Sequence, residues 1–137
     1  MGQILAIDYG KKRCGLAATD DMQIIASGLE TVPTESLMAF LERYHREHTI
    51  ERFVVGLPRD LRGEMSQVEE DILPLIEKLK TTFPSVPVER FDERFTSKIA
   101  SYYISQSGKN KKQREKKELI DKVSATLILQ NYLDTIR

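Results

Sequence analysis

The segment at residues 50–57 has an apolar centre, Phe53-Val54-Val55, that shows no alternation with polar residues. A strand with one face in water alternates apolar and polar side chains, whereas a strand covered on both faces has a continuous apolar run. Helical patterns flank this segment, with apolar residues at 37, 38, 41 and 44 before it and at 65, 68, 72, 76 and 79 after it. The sequence therefore predicts an α/β fold in which helices cover a sheet.

The other elements complete a predicted order of βββ-α-β-α-β-α-α. Three short strands, expected at 3–8, 13–19 and 23–31, are joined by turns that favour an antiparallel meander. Thr34 or Ser36 is the expected cap of the first helix, and Pro74 is expected to kink or break the second. A fifth strand is predicted at 87–91, a helix from Thr96 or Ser97 to Gly108, and a final amphipathic helix at 119–136. We expect a five-stranded mixed sheet, with strands 4 and 5 parallel.

Length and composition limit the class of protein. The 137 residues are 40% hydrophobic and 31% charged, which is typical of one globular domain spanning residues 1–137. The 21 basic and 21 acidic residues cancel, which excludes a uniformly basic surface. The single cysteine, Cys14, excludes an internal disulfide and fits a reducing compartment. No apolar run approaches the ~20 residues that span a bilayer, so we expect a cytoplasmic protein with no membrane partner.

Acidic residues stand at the ends of two predicted strands. Asp8 ends the first strand, and Asp92 and Glu93 follow the fifth. In open α/β sheets, ligands bind at the carboxyl ends of the strands. If strands 1, 4 and 5 are parallel neighbours, these acids share one edge of the sheet. Asp121, early in the final helix, would approach them if that helix packs across the sheet.

Three converging carboxylates repel one another unless a cation lies between them. Their oxygen atoms suit Mg²⁺ or Mn²⁺, and two such ions ~3.5–4 Å apart can activate water and stabilise the leaving oxygen in phosphodiester cleavage. The alternative is that the acids are ordinary turn and capping residues. Spacing along the chain does not decide between the two interpretations.

Four ordered motifs resemble those of the YqgF/RuvX family and extend over nearly the whole chain. They are ILAIDYGKKRCGLA at 4–17, VVGLP at 54–58, DERFTS at 92–97, and DKVSA at 121–125 followed by Ile128-Leu129 and Tyr132-Leu133. The resemblance implies a ribonuclease H-like fold related to the RuvC Holliday junction resolvases. It also implies metal-dependent nuclease activity, with Mg²⁺ or Mn²⁺ as cofactor and two ions expected.

The resemblance also assigns roles to residues. By motif, Asp8, Glu93 and Asp121 carry over as the catalytic and metal-binding acids. Asp92 is the alternative ligand to Glu93. Because adjacent residues of a strand face opposite ways, only one of the two points toward the metal, and we favour Glu93.

Basic residues accompany the acidic motifs and are expected to bind the nucleic-acid backbone. Residues 109–117 contain six Lys or Arg against one Glu and resemble a flexible arm, with a solvated loop as the alternative. Acidic residues at 60–77 offset this charge. The candidate nucleic-acid ligands are Lys11, Lys12, Arg13, Arg94, Lys109, Lys111, Lys112 and Arg114.

Three functions remain open at this point. The first is an endonuclease that processes the 5′ end of precursor 16S rRNA in ribosome biogenesis, a role now mostly described for the family. The second is a resolvase of four-way DNA junctions, which should be a dimer because it cuts two strands symmetrically. The third is a non-catalytic assembly factor that binds nucleic acid. The sequence is compatible with a monomer or a homodimer.

Overall fold

The computed structural model describes residues 2–57, 69–92 and 113–136, and in the last range the side chains from Val123 onward. The chain begins with strands β1 (Gln3–Asp8), β2 (Arg13–Thr19) and β3 (Ala26–Pro33). A 3₁₀ turn (Thr34–Ser36) leads into helix α1 (Leu37–Glu47), which is followed by β4 (Ile50–Leu57). Helix α2 (Glu69–Thr82), strand β5 (Val88–Asp92) and helix α3 (Gln113–Ile136) complete the described elements.

The described strands form one mixed sheet in the order β3-β2-β1-β4-β5. β1 pairs antiparallel with β2, and β2 pairs antiparallel with β3. β4 runs parallel to both β1 and β5, so it is covered at both edges. The predicted meander followed by parallel strands is confirmed.

Each face of the sheet buries its own apolar cluster. On one face, which we call the α1/α2 face, Leu5, Ile7 and Phe53 pack with residues of the first two helices. On the other, the α3 face, Ile4, Ala6, Ala17 and Val54 pack with Ala125, Ile128, Leu129 and Leu133 of α3. Phe53, Val54 and Val55 are fully buried, which confirms the prediction drawn from their uninterrupted apolar run.

The third strand begins later than predicted, at Ala26 instead of residue 23. The Asp20 carboxylate accepts hydrogen bonds from the backbone amides of Met22, Ile24 and Ile25, at 3.2, 2.9 and 2.9 Å. Gln23 has a φ of 58°, a left-handed conformation that interrupts an extended chain. These local bonds compete with strand pairing and hold residues 20–25 in a loop.

The helix after Pro33 lacks the predicted side-chain cap. Ser36 is the N-cap residue of α1, but its side chain makes no capping hydrogen bond. The Thr34 hydroxyl instead donates to the carbonyl oxygen of Gly10, at 2.6 Å. The prediction considered only local bonds, whereas this hydroxyl bonds to a turn 24 residues earlier in the chain.

Pro74 lies inside α2 without ending it. Proline has no amide hydrogen and therefore removes one helical hydrogen bond. Ile72, Leu75, Ile76 and Leu79 are buried against the sheet, and this packing compensates for the missing bond. The part of the predicted helix before residue 69 lies outside the described residues.

The final helix begins at Gln113, six residues before the predicted start at 119. The basic stretch at 109–117 is therefore helical from 113 onward, which corrects the expectation of a flexible arm for that part. Lys, Arg, Glu and Gln are good helix formers, so α3 can extend through this stretch. Residues 109–112 and the helix predicted at 96–108 lie outside the described residues. In the ranges described above, no helix has the length and apolarity needed to cross a membrane.

Candidate active site

The carboxyl ends of β1, β4 and β5 meet at one edge of the sheet, as the prediction required. Ile7 pairs with Val55 of β4, and Gly56 pairs with Phe91 of β5. Asp8 follows Ile7, and Asp92 follows Phe91. The two acids therefore lie at the same edge, with β4 between their strands.

Alternation along the strands separates these two acids. Ala6 belongs to the cluster on the α3 face, so Asp8, two residues later, is on the α3 face as well. Phe91 packs against the same cluster, which places Asp92 on the α1/α2 face. Asp8 and Asp92 share an edge of the sheet but not a face.

The two other predicted acids are described in part or not at all. Glu93 lies outside the described residues. Asp121 is in α3, one turn before Ala125, which is fully buried against the sheet. Residues four apart lie on the same side of a helix, so position 121 is on the side of α3 that faces the sheet. The condition stated for Asp121 is met, because α3 packs across the sheet. The side chain of Asp121 lies outside the described residues.

The turn after Asp8 is fixed from two directions. A Cβ atom at Gly10 would lie 2.4 Å from the Arg13 carbonyl oxygen, so glycine is required there for close backbone approach. The Thr34 hydroxyl donates to the Gly10 carbonyl, and the Thr34 amide donates to the Lys12 carbonyl at 3.1 Å. The turn is thereby attached to the segment that begins α1.

The basic residues of this turn differ in exposure. Lys11 and Lys12 are exposed, and Lys11 Nζ lies 3.9 Å from Asp71 of α2. Arg13 is half-buried at the start of β2. Arg114 lies in the first turn of α3, with its side chain outside the description. Arg94, Lys109, Lys111 and Lys112 lie outside the described residues.

Arg90 is a residue at this edge that sequence reasoning missed. Its Nη1 and Nη2 atoms donate to the Glu69 carboxylate, at 2.8 and 2.6 Å. Nε donates to the Val55 carbonyl at 3.2 Å, and Nη2 donates to the Gly56 carbonyl at 3.0 Å. The sequence did offer a signal, since Arg90 lies within a short predicted strand. A charged side chain that is partly buried in a sheet requires a partner.

The chemistry of the residues at this edge suits a divalent cation. Asp8 offers carboxylate oxygens, which are the ligands that Mg²⁺ and Mn²⁺ prefer. Among the residues with described side chains, no group of three or more His, Cys, Asp or Glu is placed to hold a metal ion. Two of the three predicted ligands, Glu93 and Asp121, lie outside that set.

The sheet order, the parallel strands and the helix packed across them define a ribonuclease H-like α/β fold. The family model described as "RuvX: Holliday junction resolvase" matches residues 2–135. The chain belongs to this family.

Curated relatives and solved structures are similar over nearly the full chain. A Bacteroides fragilis protein (strain ATCC 25285) is 47% identical over 137 residues, covering 100% of this chain and 99% of the relative. A Porphyromonas gingivalis protein (strain W83) is 52% identical over 134 residues, covering 98% and 97%. Both are named "Putative pre-16S rRNA nuclease".

Two RuvC structures show the same fold at low identity. Thermus thermophilus RuvC aligns with a TM-score of 0.54 and 17% identity, covering 98% of this chain and 95% of RuvC. T. thermophilus RuvC in complex with a Holliday junction substrate aligns with a TM-score of 0.56 and 16% identity, covering 99% and 96%.

Proposed function

We propose that this protein is a metal-dependent endonuclease that hydrolyses phosphodiester bonds and processes the 5′ end of precursor 16S rRNA. The observation that carries the proposal is the placement of Asp8 at the sheet edge where β1, β4 and β5 end in parallel. The relatives named for pre-16S rRNA support this substrate, and the match to the RuvX family supports phosphodiester hydrolysis. The activity belongs to one domain spanning residues 1–137.

The proposed catalytic acids are Asp8, Glu93 and Asp121. Because Asp8 is on the α3 face and Asp92 is on the opposite one, alternation favours Glu93 over Asp92 as the partner of Asp8. The burial of Ala125 supports Asp121, since both positions are on the side of α3 that faces the sheet. Carboxylates from β1, β5 and α3 would then converge on the α3 face.

The proposed cofactor is Mg²⁺ or Mn²⁺, with two ions held by Asp8, Glu93 and Asp121. Such ions lower the pKa of bound water and neutralise charge on the reacting phosphate. In this proposal the three carboxylates would hold their oxygens toward the same volume. Asp8 is fixed by β1, which pairs with both β2 and β4. This rigid attachment orients the carboxylate before the substrate binds.

The basic residues have a separate role in this proposal. Exposed Lys11 and Lys12, with Arg13, Arg94 and Arg114, would pair with backbone phosphates on either side of the cut. Lys109, Lys111 and Lys112 would extend this contact. Each phosphate that is neutralised releases counterions, so binding is expected to weaken as salt rises.

A Holliday junction resolvase is the second candidate function, and the matching family model carries that description. A symmetric double cut requires two active sites, so this function predicts a dimer. The third candidate, a non-catalytic assembly factor, predicts that loss of the Asp8 carboxylate leaves function intact.

A role in rRNA processing would place the protein in the cytoplasm, where a free buried cysteine such as Cys14 stays reduced.

The experiment that separates these candidates compares wild type with Asp8→Asn on two substrates. These are a precursor 16S rRNA fragment that spans the mature 5′ end, and a four-way DNA junction, each with Mg²⁺ or Mn²⁺. We expect Asp8→Asn to abolish cleavage of the rRNA fragment, because an amide is a poor ligand for a hard cation. Asp21→Asn, at an exposed acid in the β2–β3 turn, is the matched control and should cleave normally.

Equal cleavage by wild type and Asp8→Asn would contradict the assignment of the site. Cleavage of the junction alone, by a protein that sediments as a dimer, would favour the resolvase. Binding of the rRNA fragment without cleavage under any metal condition would favour the assembly factor.

A further inference from the structure

A cavity of about 300 Å³ lies next to the candidate active site, on the α1/α2 face of the sheet. Its walls come from Tyr9 just after β1, the 3₁₀ turn and the start of α1, and residues 71–78 of α2. The apolar wall includes Tyr9, Met38 and Leu75, and the polar groups include Asp71 and Lys78. This volume is at the small end of ligand sites, which commonly measure ~300–1,000 Å³.

Tyr9 connects this cavity to the proposed site of cleavage. It follows Asp8 directly, and its ring packs against the apolar cluster on the α1/α2 face. The ring is thus an aromatic surface supported by the core on one side and open to the cavity on the other.

The polar groups of the cavity form a donor and acceptor pair on one helix. Asp71 and Lys78 are seven residues apart in α2, which places them on the same side of the helix. Asp71 accepts hydrogen bonds and Lys78 donates them. The edge of a nucleobase carries both amino donors and carbonyl or ring-nitrogen acceptors, so each of the two residues has a complementary group on a base.

Charge around the cavity argues against a phosphate as its occupant. The charged side chains that line it are one acid, Asp71, and one base, Lys78, so the lining has no net positive charge to hold a phosphate. Exposed Lys11 and Lys12 lie on the turn that follows Tyr9, outside the cavity lining. A nucleotide placed across this edge would put its base in the cavity and its phosphate toward the lysines.

We propose that this cavity binds one unpaired nucleobase of the strand that is cut at the neighbouring edge, with the base stacked on Tyr9. This inference rests on the nuclease function proposed above and adds a requirement to it, namely an unpaired nucleotide next to the cleaved bond. Bases inside a duplex are not free to stack on a side chain, whereas those of loops and single-stranded ends are. The subsite would therefore select single-stranded segments.

The first test uses free nucleotides, so it does not depend on cleavage. ¹⁵N-labelled protein is titrated with each of the four ribonucleoside monophosphates, with ribose 5-phosphate as the control that lacks a base. We expect saturable shifts at Tyr9, Thr34 and Leu37 with at least one nucleotide and none with ribose 5-phosphate. Absence of saturable shifts with every nucleotide, or equal shifts with ribose 5-phosphate, would overturn the proposal.

Substitutions then locate the binding. Tyr9→Phe keeps the ring and should keep the nucleotide affinity, whereas Tyr9→Leu should weaken it about fivefold or more, since base–aromatic stacking contributes ~1–3 kcal/mol. Exposed Lys78→Ala, which leaves the core untouched, should also weaken binding, and exposed Lys80→Ala is its matched control outside the cavity. Unchanged affinity in both Tyr9→Leu and Lys78→Ala would rule out this subsite.

The second test uses RNA and separates this inference from the proposed function. Single abasic positions are placed along the precursor 16S rRNA fragment, and binding is measured without a divalent metal. We expect one position near the cut to weaken binding to wild type but not to Tyr9→Leu. If no abasic position weakens binding to wild type more than to Tyr9→Leu, and the RNA is still cleaved, the subsite is overturned and the nuclease function stands. Nucleotide binding in the cavity of a protein that does not cleave the RNA would reject the nuclease and retain the subsite.

Discussion

Arg90 and Glu69 form an ion pair with two parallel hydrogen bonds that joins β5 to the first residue of α2. The Nη1–Oε2 and Nη2–Oε1 distances are 2.8 and 2.6 Å, and the two side chains are only 22% and 13% exposed. The same guanidinium donates to the carbonyls of Val55 and Gly56 at the end of β4. One side chain therefore connects three elements at the edge where Asp8 lies.

Arg90→Ala should lower the free energy of unfolding by about 2–3 kcal/mol, because it leaves the Glu69 carboxylate partly buried without its partner. Arg90→Lys should lower the free energy of unfolding by less, since lysine keeps the positive charge although it lacks the paired donors of the guanidinium. Urea unfolding measures both. As the control, Lys11→Ala removes the exposed pair with Asp71 and should change stability by no more than about 0.5 kcal/mol. Equal losses in Arg90→Ala and Lys11→Ala would contradict the importance of the buried pair.

Gly10→Ala should reduce RNA cleavage strongly while the sheet remains folded. The added Cβ would lie 2.4 Å from the Arg13 carbonyl oxygen, so the turn that follows Asp8 must move. Thr34→Val is the milder test, because it removes the hydroxyl that donates to the Gly10 carbonyl and should cost about 1 kcal/mol. Cleavage rates and circular dichroism are measured together. Normal cleavage by Gly10→Ala would show that the turn does not position Asp8.

Ala125→Leu should lower both stability and cleavage. Ala125 is fully buried between α3 and the sheet, so extra methylene groups would push the helix away and cost about 1–3 kcal/mol. This shift would also displace position 121 from the other proposed acids. Asn131→Leu, at an exposed position of the same helix, is the matched control and should cleave normally. A destabilised Ala125→Leu with wild-type cleavage at low temperature would argue against a role for Asp121.

Stability should depend on the charge of Asp20 in acid. Backbone amide bonds, those from Ile25 and Ile24 foremost, lower the pKa of Asp20 below its ordinary value of 3.8. Since the folded-state pKa is the lower one, the ionised form stabilises the native state. That contribution is complete above the unfolded value and is lost as the pH falls through the folded value.

The measurement is the difference in unfolding free energy between wild type and Asp20→Ala across this range. The difference should be largest near neutral pH and should shrink below pH 3.8. Asp21→Ala, at the neighbouring exposed acid outside these amide bonds, serves as the control. A pH-independent difference would mean that the Asp20 carboxylate does not organise the loop.

Replacing Lys111 and Lys112 with alanine should weaken RNA binding and flatten its dependence on salt. Each lost phosphate contact lowers the slope of log affinity against log salt by about 0.7 for a single strand. Binding is measured at several salt concentrations in the Asp8→Asn background, so that the RNA stays intact. Lys80→Ala, on the outer side of α2, is the control. An unchanged slope would identify the basic stretch as a solvated segment.

Local patterns were sufficient to predict most of the described elements. Four of the five strands begin and end within one residue of their predicted bounds, because their alternation and apolar runs are properties of short segments. The late start of β3 was missed, since the Asp20 carboxylate bonds to amides that the strand would otherwise use. The predicted break at Pro74 was wrong, because the burial of α2 outweighs the tendency of proline to end a helix.

The amino-acid sequence by itself determined the α/β class, the acids at the ends of strands and the motifs shared with the RuvX family. Only the tertiary structure decided that β4 lies between β1 and β5, that Asp8 and Asp92 occupy opposite faces, and that Arg90 reaches Glu69. The periodicity of apolar residues predicts which side chains are buried, but it does not predict which elements bury them. Pairing between strands far apart in the chain depends on the packing of the whole sheet. The edge of the sheet that carries the candidate site is a product of that packing.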